Sequence, residues 1–179
     1  YIYTEGKRLE TMALRLLDII VTRRKEIDRK TTNVSSIFSY LQEIYVDKEK
    51  PEDSRVKVDI RWEKGELYAD ENLLKTVLIN LIDNAIKFSP HGGLIRMRML
   101  REDGHILFTI DNEGPSIPDA DKARIFNKFY QGDSSHESEG NGLGLSLVRK
   151  IVTMHGGEVR VEDPVNGGCR FAVTLPEQM

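Results

Sequence analysis

Apolar positions recur at helical spacing over three long stretches of this chain. From about Glu5 to Asp28, Leu9, Met12, Leu16 and Ile19 step by three and four, with Ala13, Leu17 and Ile20 widening the stripe. Lys7, Arg8, Glu10, Arg15 and Asp18 mark the opposite, polar face. Such a helix cannot bury its stripe alone, so it packs on the domain that follows or pairs with another helix. Thr31-Thr32-Asn33 breaks the pattern and offers caps for a second helix carrying Ile37, Phe38, Leu41 and Ile44 to about Asp47. The most apolar helix runs from Asp70, its N-cap, to Ser89-Pro90, with Leu74, Val77, Leu78, Leu81, Ile82 and Ala85 on a wide face. A fourth helix spans Gly142 to His155.

Between these helices the period changes to two. Val56 to Trp62 alternates as a strand, and Glu66 to Ala69 is a short second one. Leu94–Arg101 and His105–Asp111 form strands joined at Asp103-Gly104, a strong hairpin signal. Asp119 to Phe126 reads as a short helix. Strands Glu158–Glu162 and Cys169–Leu175 flank the Asn166-Gly167-Gly168 turn. Hairpins mixed with helices that cover one face predict a two-layer α/β sandwich rather than a doubly wound parallel sheet. Asn127 to Asn141 is long and polar for a structureless loop, and loops of that kind are usually functional.

Composition narrows the picture. The 179 residues are 39% hydrophobic and 31% charged with net charge −3, so a real core is available and nothing suggests nucleic-acid binding. A single cysteine, Cys169, excludes an internal disulfide, and no apolar run is long enough to span a bilayer.

Chemistry concentrates on the central helix. At about 100° per residue, Asn80, Asn84 and Lys87 share one stripe, flanked by Thr76 and Asp83. Two carboxamides in so apolar a helix need partners, because a buried amide without a hydrogen bond costs about 1–3 kcal/mol. Either neighbouring backbone satisfies them, or they face a cleft where a polar ligand or metal does. Asp83 is an acid-base or orienting candidate, with a solvated carboxylate as the alternative. A second stretch, Gly140-Asn141-Gly142-Leu143-Gly144-Leu145, opens a helix, where glycines and unsatisfied N–H groups suit a phosphate. It follows a loop rather than a strand, so it does not match the dinucleotide-binding fingerprint, and no P-loop motif occurs. Ile110-Asp111-Asn112-Glu113-Gly114-Pro115-Ser116-Ile117-Pro118 leads a strand into a glycine turn, and Ile125-Phe126-Asn127-Lys128-Phe129-Tyr130 is an aromatic cluster.

In this order, NLIDNAIKFS, DNEGPSIP, IFNKFYQGD and GNGLGLSLVRKIV resemble the N box, first glycine box, F box and second glycine box of the ATP-binding catalytic domain of sensor histidine kinases, in the GHKL ATPase superfamily. The resemblance covers roughly Asn33 to Pro176. It implies a Bergerat α/β sandwich at 31–179, and a dimerisation-type helix ending in 1–30. It implies ATP and Mg²⁺ as ligands, with Asn80 and Asn84 holding the metal and touching phosphates, and Lys87 neutralising phosphate charge. Phe88 would lie against the adenine, while Gly140, Gly142 and Gly144 bring backbone to the phosphates. Asn112, Gly114, Ile117, Phe129, Leu143 and Leu145 complete the expected nucleotide-binding set. Asn127 to Asn141 would be a lid, anchored by Phe126 and Phe129.

Three positions depart from the family pattern. Asn112 stands where an aspartate usually accepts the adenine amino group, which predicts weaker but not absent binding. Asp111 cannot substitute, because strand alternation points it to the other face. Ser116 replaces a glycine, and Gln131 stands where an arginine often reaches the γ-phosphate. The family's phosphoacceptor histidine belongs on a helix before Glu5–Asp28, and His91, His105, His136 and His155 do not replace it. The function implied is transfer of the γ-phosphoryl of Mg·ATP to a histidine outside this chain. The implied partners are a histidine-bearing dimerisation domain of the same homodimeric protein and a response regulator receiver domain. A cytoplasmic portion of a membrane-bound sensor is the implied setting. The alternatives are a catalytically impaired nucleotide-sensing or scaffold module, and a free-standing GHKL kinase or ATPase.

Overall fold

The computed structural model describes residues 2–23, 26–46, 56–128, 130 and 143–177. In chain order they form α1 (Ile2–Arg23), β1 (Lys30–Asn33), α2 (Val34–Tyr45), β2 (Val56–Trp62), β3 (Glu66–Ala69) and α3 (Glu71–Phe88). There follow β4 (Gly93–Glu102), β5 (His105–Asn112), α4 (Asp119–Lys122), a 3-10 turn (Arg124–Phe126), α5 (Gly144–Met154), β6 (Glu158–Glu162) and β7 (Cys169–Pro176). Strands β2-β4-β5-β7-β6 make one mixed sheet, parallel only between β2 and β4. Strands β1 and β3 form a separate antiparallel pair. The two-layer α/β expectation holds.

Alternation along the strands sets the layers. Ile95, Met97 and Met99 on β4, and Ile106, Phe108 and Ile110 on β5, are buried and face the helices. The other sheet face carries Arg96, Arg98, Asp111 and Arg170, tied across strands by Arg98–Asp59 and the bidentate Arg170–Asp111 pair at 2.6 and 2.7 Å. Asp111 therefore points away from Asn112, as alternation requires. Helix α2 adds Phe38, which stacks on Trp62 at 5.2 Å and on Phe108 at 6.3 Å between ring centroids.

The hairpin at Asp103-Gly104 has φ of 49° and 75°, the left-handed pair that a tight two-residue hairpin turn uses. Asn33 caps α2 by accepting from Ser35 N–H at 2.8 Å, and Asp70 caps α3 by accepting from Leu73 N–H at 3.1 Å. Thr31 to Asn33, read from the sequence as a break, is also a strand. It pairs with β3 over Lys30↔Ala69 to Asn33↔Glu66, a non-local partnership that no local pattern announces.

Helix α1 docks through a different edge from the one its stripe suggests. Val21 is buried, and Leu14 and Leu17 pack on the core, whereas Leu9, Met12, Leu16 and Ile19 face outward. Asp18, assigned by pattern to the polar face, is only 9% exposed. It receives hydrogen bonds from Lys128 at 2.7 Å and from Lys150 of α5 at 2.9 Å. Burial would raise its pKa, but these two ammonium groups hold the carboxyl below its ordinary value.

Candidate functional site

The α3 and α5 helices are fixed against each other at two points. At one end, buried His155 accepts the Asp70 N–H on Nε2 at 3.0 Å and donates from Nδ1 to the Ile151 carbonyl at 2.8 Å. This bonding selects the neutral tautomer, and burial depresses the imidazole pKa below its ordinary value. At the other end, a Cβ placed on Gly144 would lie 3.0 Å from Asn80 Oδ1. The absence of a side chain there lets the first residue of α5 approach the middle of α3.

Of the two sequence alternatives for the carboxamides, Asn80 shows the backbone one. Its Nδ2 donates to the Thr76 carbonyl at 2.8 Å, which fixes the amide and turns Oδ1 toward Gly144. Asn84, one turn on, is partly exposed, and no protein hydrogen bond engages its side chain among the described residues. Lys87 follows on the same stripe, its Nζ 5.3 Å from the centroid of the Phe88 ring. Phe88 is itself exposed. Asp83, on the flank, accepts the Tyr45 hydroxyl at 2.6 Å and so tethers α3 to α2. Desolvation raises its pKa and the tyrosine hydrogen bond opposes that rise.

At the head of α5, Leu143 is buried and brings no side-chain oxygen to cap the helix, and the first turn holds no acidic residue. Uncapped first-turn N–H groups and the positive end of the helix dipole favour an anion. Leu145 is partly buried and packs on the core, as does Ile117.

The third component is the end of β5. Asn112 continues the inward line of Ile106, Phe108 and Ile110 and is 4% exposed, yet its Nδ2 has no partner among the described residues. Among the described residues it is the only buried side-chain nitrogen or oxygen in that condition. Gly114 packs tightly against it: a Cβ there would stand 2.6 Å from Asn112 Nδ2 and 2.5 Å from the Phe88 carbonyl oxygen. Gly168, which the sequence marked only as a turn, packs on the Asn112 backbone, where a Cβ would come within 2.2 Å of its carbonyl oxygen.

The structure thus brings Asn80 to Gly144, and Phe88 and Asn112 to Gly114. Phe129, Gly140, Gly142, Gln131 and His136 lie outside the described residues, as does most of the expected lid. Phe126, its expected anchor, is buried edge-on against Phe171 at 6.2 Å. Sequence reasoning passed over the Asp18, Lys128 and Lys150 cluster. Its only signal was a carboxylate beside Leu17 near the end of α1.

Among the described residues no group of three or more His, Cys, Asp or Glu side chains could hold a metal ion. Amide oxygens are nonetheless hard ligands of the kind Mg²⁺ takes when a phosphate supplies the rest of its shell. An oriented Asn80 Oδ1 in a cradle that a Cβ would fill fits that demand.

The family described as histidine kinase-, DNA gyrase B-, and HSP90-like ATPase matches residues 69–179. Signal transduction histidine-protein kinase/phosphatase MprB of Mycobacterium sp. (strain KMS) is 36% identical over 126 residues, 68% of this chain and 24% of that protein. Adaptive-response sensory kinase SasA of Nostoc sp. is 34% identical over 183 residues, 97% of this chain and 44% of that protein. The chain therefore spans less than half the length of either relative. Histidine kinase ThkA, solved in complex with response regulator protein TrrA, matches with a TM-score of 0.78 at 26% identity, over 99% of this chain and 49% of that one.

Proposed function

Because this chain belongs to the histidine kinase-, DNA gyrase B- and HSP90-like ATPase family, we propose that it is the ATP-binding catalytic domain of a sensor histidine kinase. Residues 31–179 form that domain, and 1–30 the end of a dimerisation helix. The observation that carries this reading is Asn80 Oδ1, oriented by Thr76 and set against Gly144 at the uncapped start of α5. A metal-binding amide and a phosphate-binding helix end meet there.

Asn80 and Asn84 would hold Mg²⁺ through their amide oxygens, and the metal supplies charge neutralisation between the phosphates. Lys87 adds a cation on the same side. Leu143, Gly144 and Leu145 line the phosphate end at the start of α5, and Asn112, Gly114, Ile117 and Phe88 form the base end. Phe129, Gly140 and Gly142 join the set by family resemblance. The reaction is attack of a histidine nitrogen, on a helix outside this chain, at the γ-phosphorus. An N–P bond would form while the bond from the γ-phosphorus to the β–γ bridging oxygen breaks, ADP would be the leaving group, and the imidazole would give up a proton to solvent. Positioning and charge stabilisation account for the catalysis.

The phosphohistidine would then serve an aspartate on a response regulator receiver domain. The outward stripe of Leu9, Met12, Leu16 and Ile19 on α1 suits the homodimer that this role implies. No helix among the described residues is long and apolar enough to cross a membrane, and a cytoplasmic position in a membrane-bound sensor is the setting proposed.

Calorimetric titration with ATP, with and without Mg²⁺, tests the site. Saturable binding that strengthens with Mg²⁺ and collapses in Asn84→Ala is the expected result. Absence of binding at millimolar ATP overturns it. A second reading, a nucleotide-sensing or scaffold module with impaired catalysis, draws on the asparagine at position 112. Phosphoryl transfer to a supplied histidine-bearing domain would exclude that module.

A further inference from the structure

We propose that His155 is a positioning residue of the nucleotide site: its neutral ring sets the register of α5 against α3, so nucleotide affinity is linked to protonation at the far end of that seam. The inference rests on the nucleotide-site reading above and adds its regulation.

The two contacts that join α3 to α5 lie matched distances apart on the two helices. Asp70 and Asn80 are ten residues apart, about 15 Å along α3 at the helical rise of about 1.5 Å per residue. Gly144 and His155 are eleven apart, about 16 Å along α5. Because Asp70 meets His155 and Asn80 meets Gly144, the helices run antiparallel and are pinned at both ends of nearly equal spans. Between the pins lie buried apolar side chains, Leu74, Val77 and Leu78 on α3 and Leu147, Val148 and Ile151 on α5. Apolar burial is non-directional, whereas the bond from the Asp70 N–H to Nε2 fixes position along the axis. A slip of one residue at that end would carry the start of α5 about 1.5 Å past Asn80, enough to spoil a site that the two helices share.

Both ring nitrogens of His155 are committed in the neutral form. Nε2 accepts from Asp70 at 3.0 Å, and Nδ1 donates to the Ile151 carbonyl at 2.8 Å. A proton on Nε2 would set two donors face to face, so the charged imidazole cannot keep the Asp70 contact. Burial disfavours that charge most strongly. Of the charged groups that face the ring, the Asp70 carboxylate favours the imidazolium, and Arg29, from the segment before β1, opposes it. Just beyond, Gly157 seats the end of α5 on β7, where a Cβ would stand 2.3 Å from the Thr174 carbonyl oxygen. The end of α5 therefore stays on the sheet, and the broken contact is relieved by movement of α3 against α5.

The test follows Mg·ADP binding and the His155 ring together in the full chain. Heteronuclear NMR of the ring nitrogens gives the His155 titration midpoint without and with saturating Mg·ADP, the signal being identified by replacing the four histidines one at a time. Nucleotide is expected to lower the proton affinity of His155 about threefold or more, because binding and protonation oppose each other reciprocally. His155→Gln keeps an acceptor in reach of the Asp70 N–H and does not titrate. Relative to that variant, wild type is expected to lose about threefold or more in Mg·ADP affinity between pH 8 and the lowest pH at which melts show both proteins folded. The nucleotide's own titration cancels in that ratio. A midpoint unmoved by nucleotide, or a ratio flat with pH, overturns the proposal and leaves the nucleotide site standing. If His155→Gln does not fold, the wild-type midpoint decides alone. Absence of Mg·ADP binding at millimolar concentration and pH 8 overturns the site and the proposal together.

Discussion

Gly144→Ala separates binding from folding at the α3–α5 seam. The added methyl would lie 3.0 Å from Asn80 Oδ1, inside ordinary van der Waals separation. The amide cannot simply step aside, because Nδ2 is held to the Thr76 carbonyl at 2.8 Å. Turning it away forfeits a hydrogen bond worth about 0.5–1.5 kcal/mol. Alanine recovers up to about 1 kcal/mol over glycine in a helix. The two effects oppose, so the stability of the domain is expected to change by less than about 1 kcal/mol. Nucleotide affinity is a different matter. A displaced Oδ1 loses its contact with a charged ligand, worth about 1.5–3 kcal/mol, which corresponds to about tenfold to hundredfold in the dissociation constant. Calorimetric titration with Mg·ADP, beside a thermal melt, reads both quantities. In Asn80→Ala the methyl meets no amide, so adding Gly144→Ala there should cost little more, a non-additivity that identifies direct contact. Affinity within twofold of wild type, with an unchanged melt, would refute the placement of Asn80 at the ligand.

Other groups give independent checks. Asp18→Asn removes both ion pairs that dock α1 and is expected to loosen that helix by about 1–2 kcal/mol, since the two lysines remain partly hydrated; distance measurements between labels on α1 and α5 would detect it. Because the Asp18 carboxyl is held below its ordinary value of 3.8, the docking is complete above about pH 4 and is lost as pH falls through the depressed value. His155→Phe leaves the Asp70 N–H without its acceptor and should cost about 1–3 kcal/mol. The folded-state pKa of His155 lies below 6.5, so its contribution is whole above pH 6.5 and declines in more acid solution; the variant's melting temperature should fall less than wild type's between pH 7.5 and 5. Tyr45→Phe deletes the tether to Asp83 for about 1 kcal/mol, and Phe108→Ala, which opens the stack under Phe38, should cost about 3–5 kcal/mol in a denaturant titration.

Local pattern carried a great deal of this protein. Asn33 and Asp70 declared their helices as caps, and Asp103-Gly104 its hairpin, because those features depend on neighbours a few residues away. The α3 stripe of Asn80, Asn84 and Lys87 was legible for the same reason: one helix alone decides which residues share a face. Alternation likewise separated Asp111 from Asn112 before any fold was known. What the chain order could not contain were contacts made across it. Strand β1 exists because β3 completes its hydrogen bonds from more than thirty residues away. Helix α1 has two sides with apolar residues, and only the packed domain selects Leu14, Leu17 and Val21 as the docking edge. Asp18 reads as a surface charge until Lys128 and Lys150 arrive from the far end of the chain. The amide of Asn112 was visible as a departure from a family pattern, but its isolation was not. That isolation follows from burial at the end of β5, where Gly114 and Gly168 let backbone crowd close and no acceptor among the described residues reaches Nδ2. Sequence set the faces, and tertiary packing decided what each face meets, because burial and hydrogen-bond satisfaction belong to the whole chain and to no single segment of it.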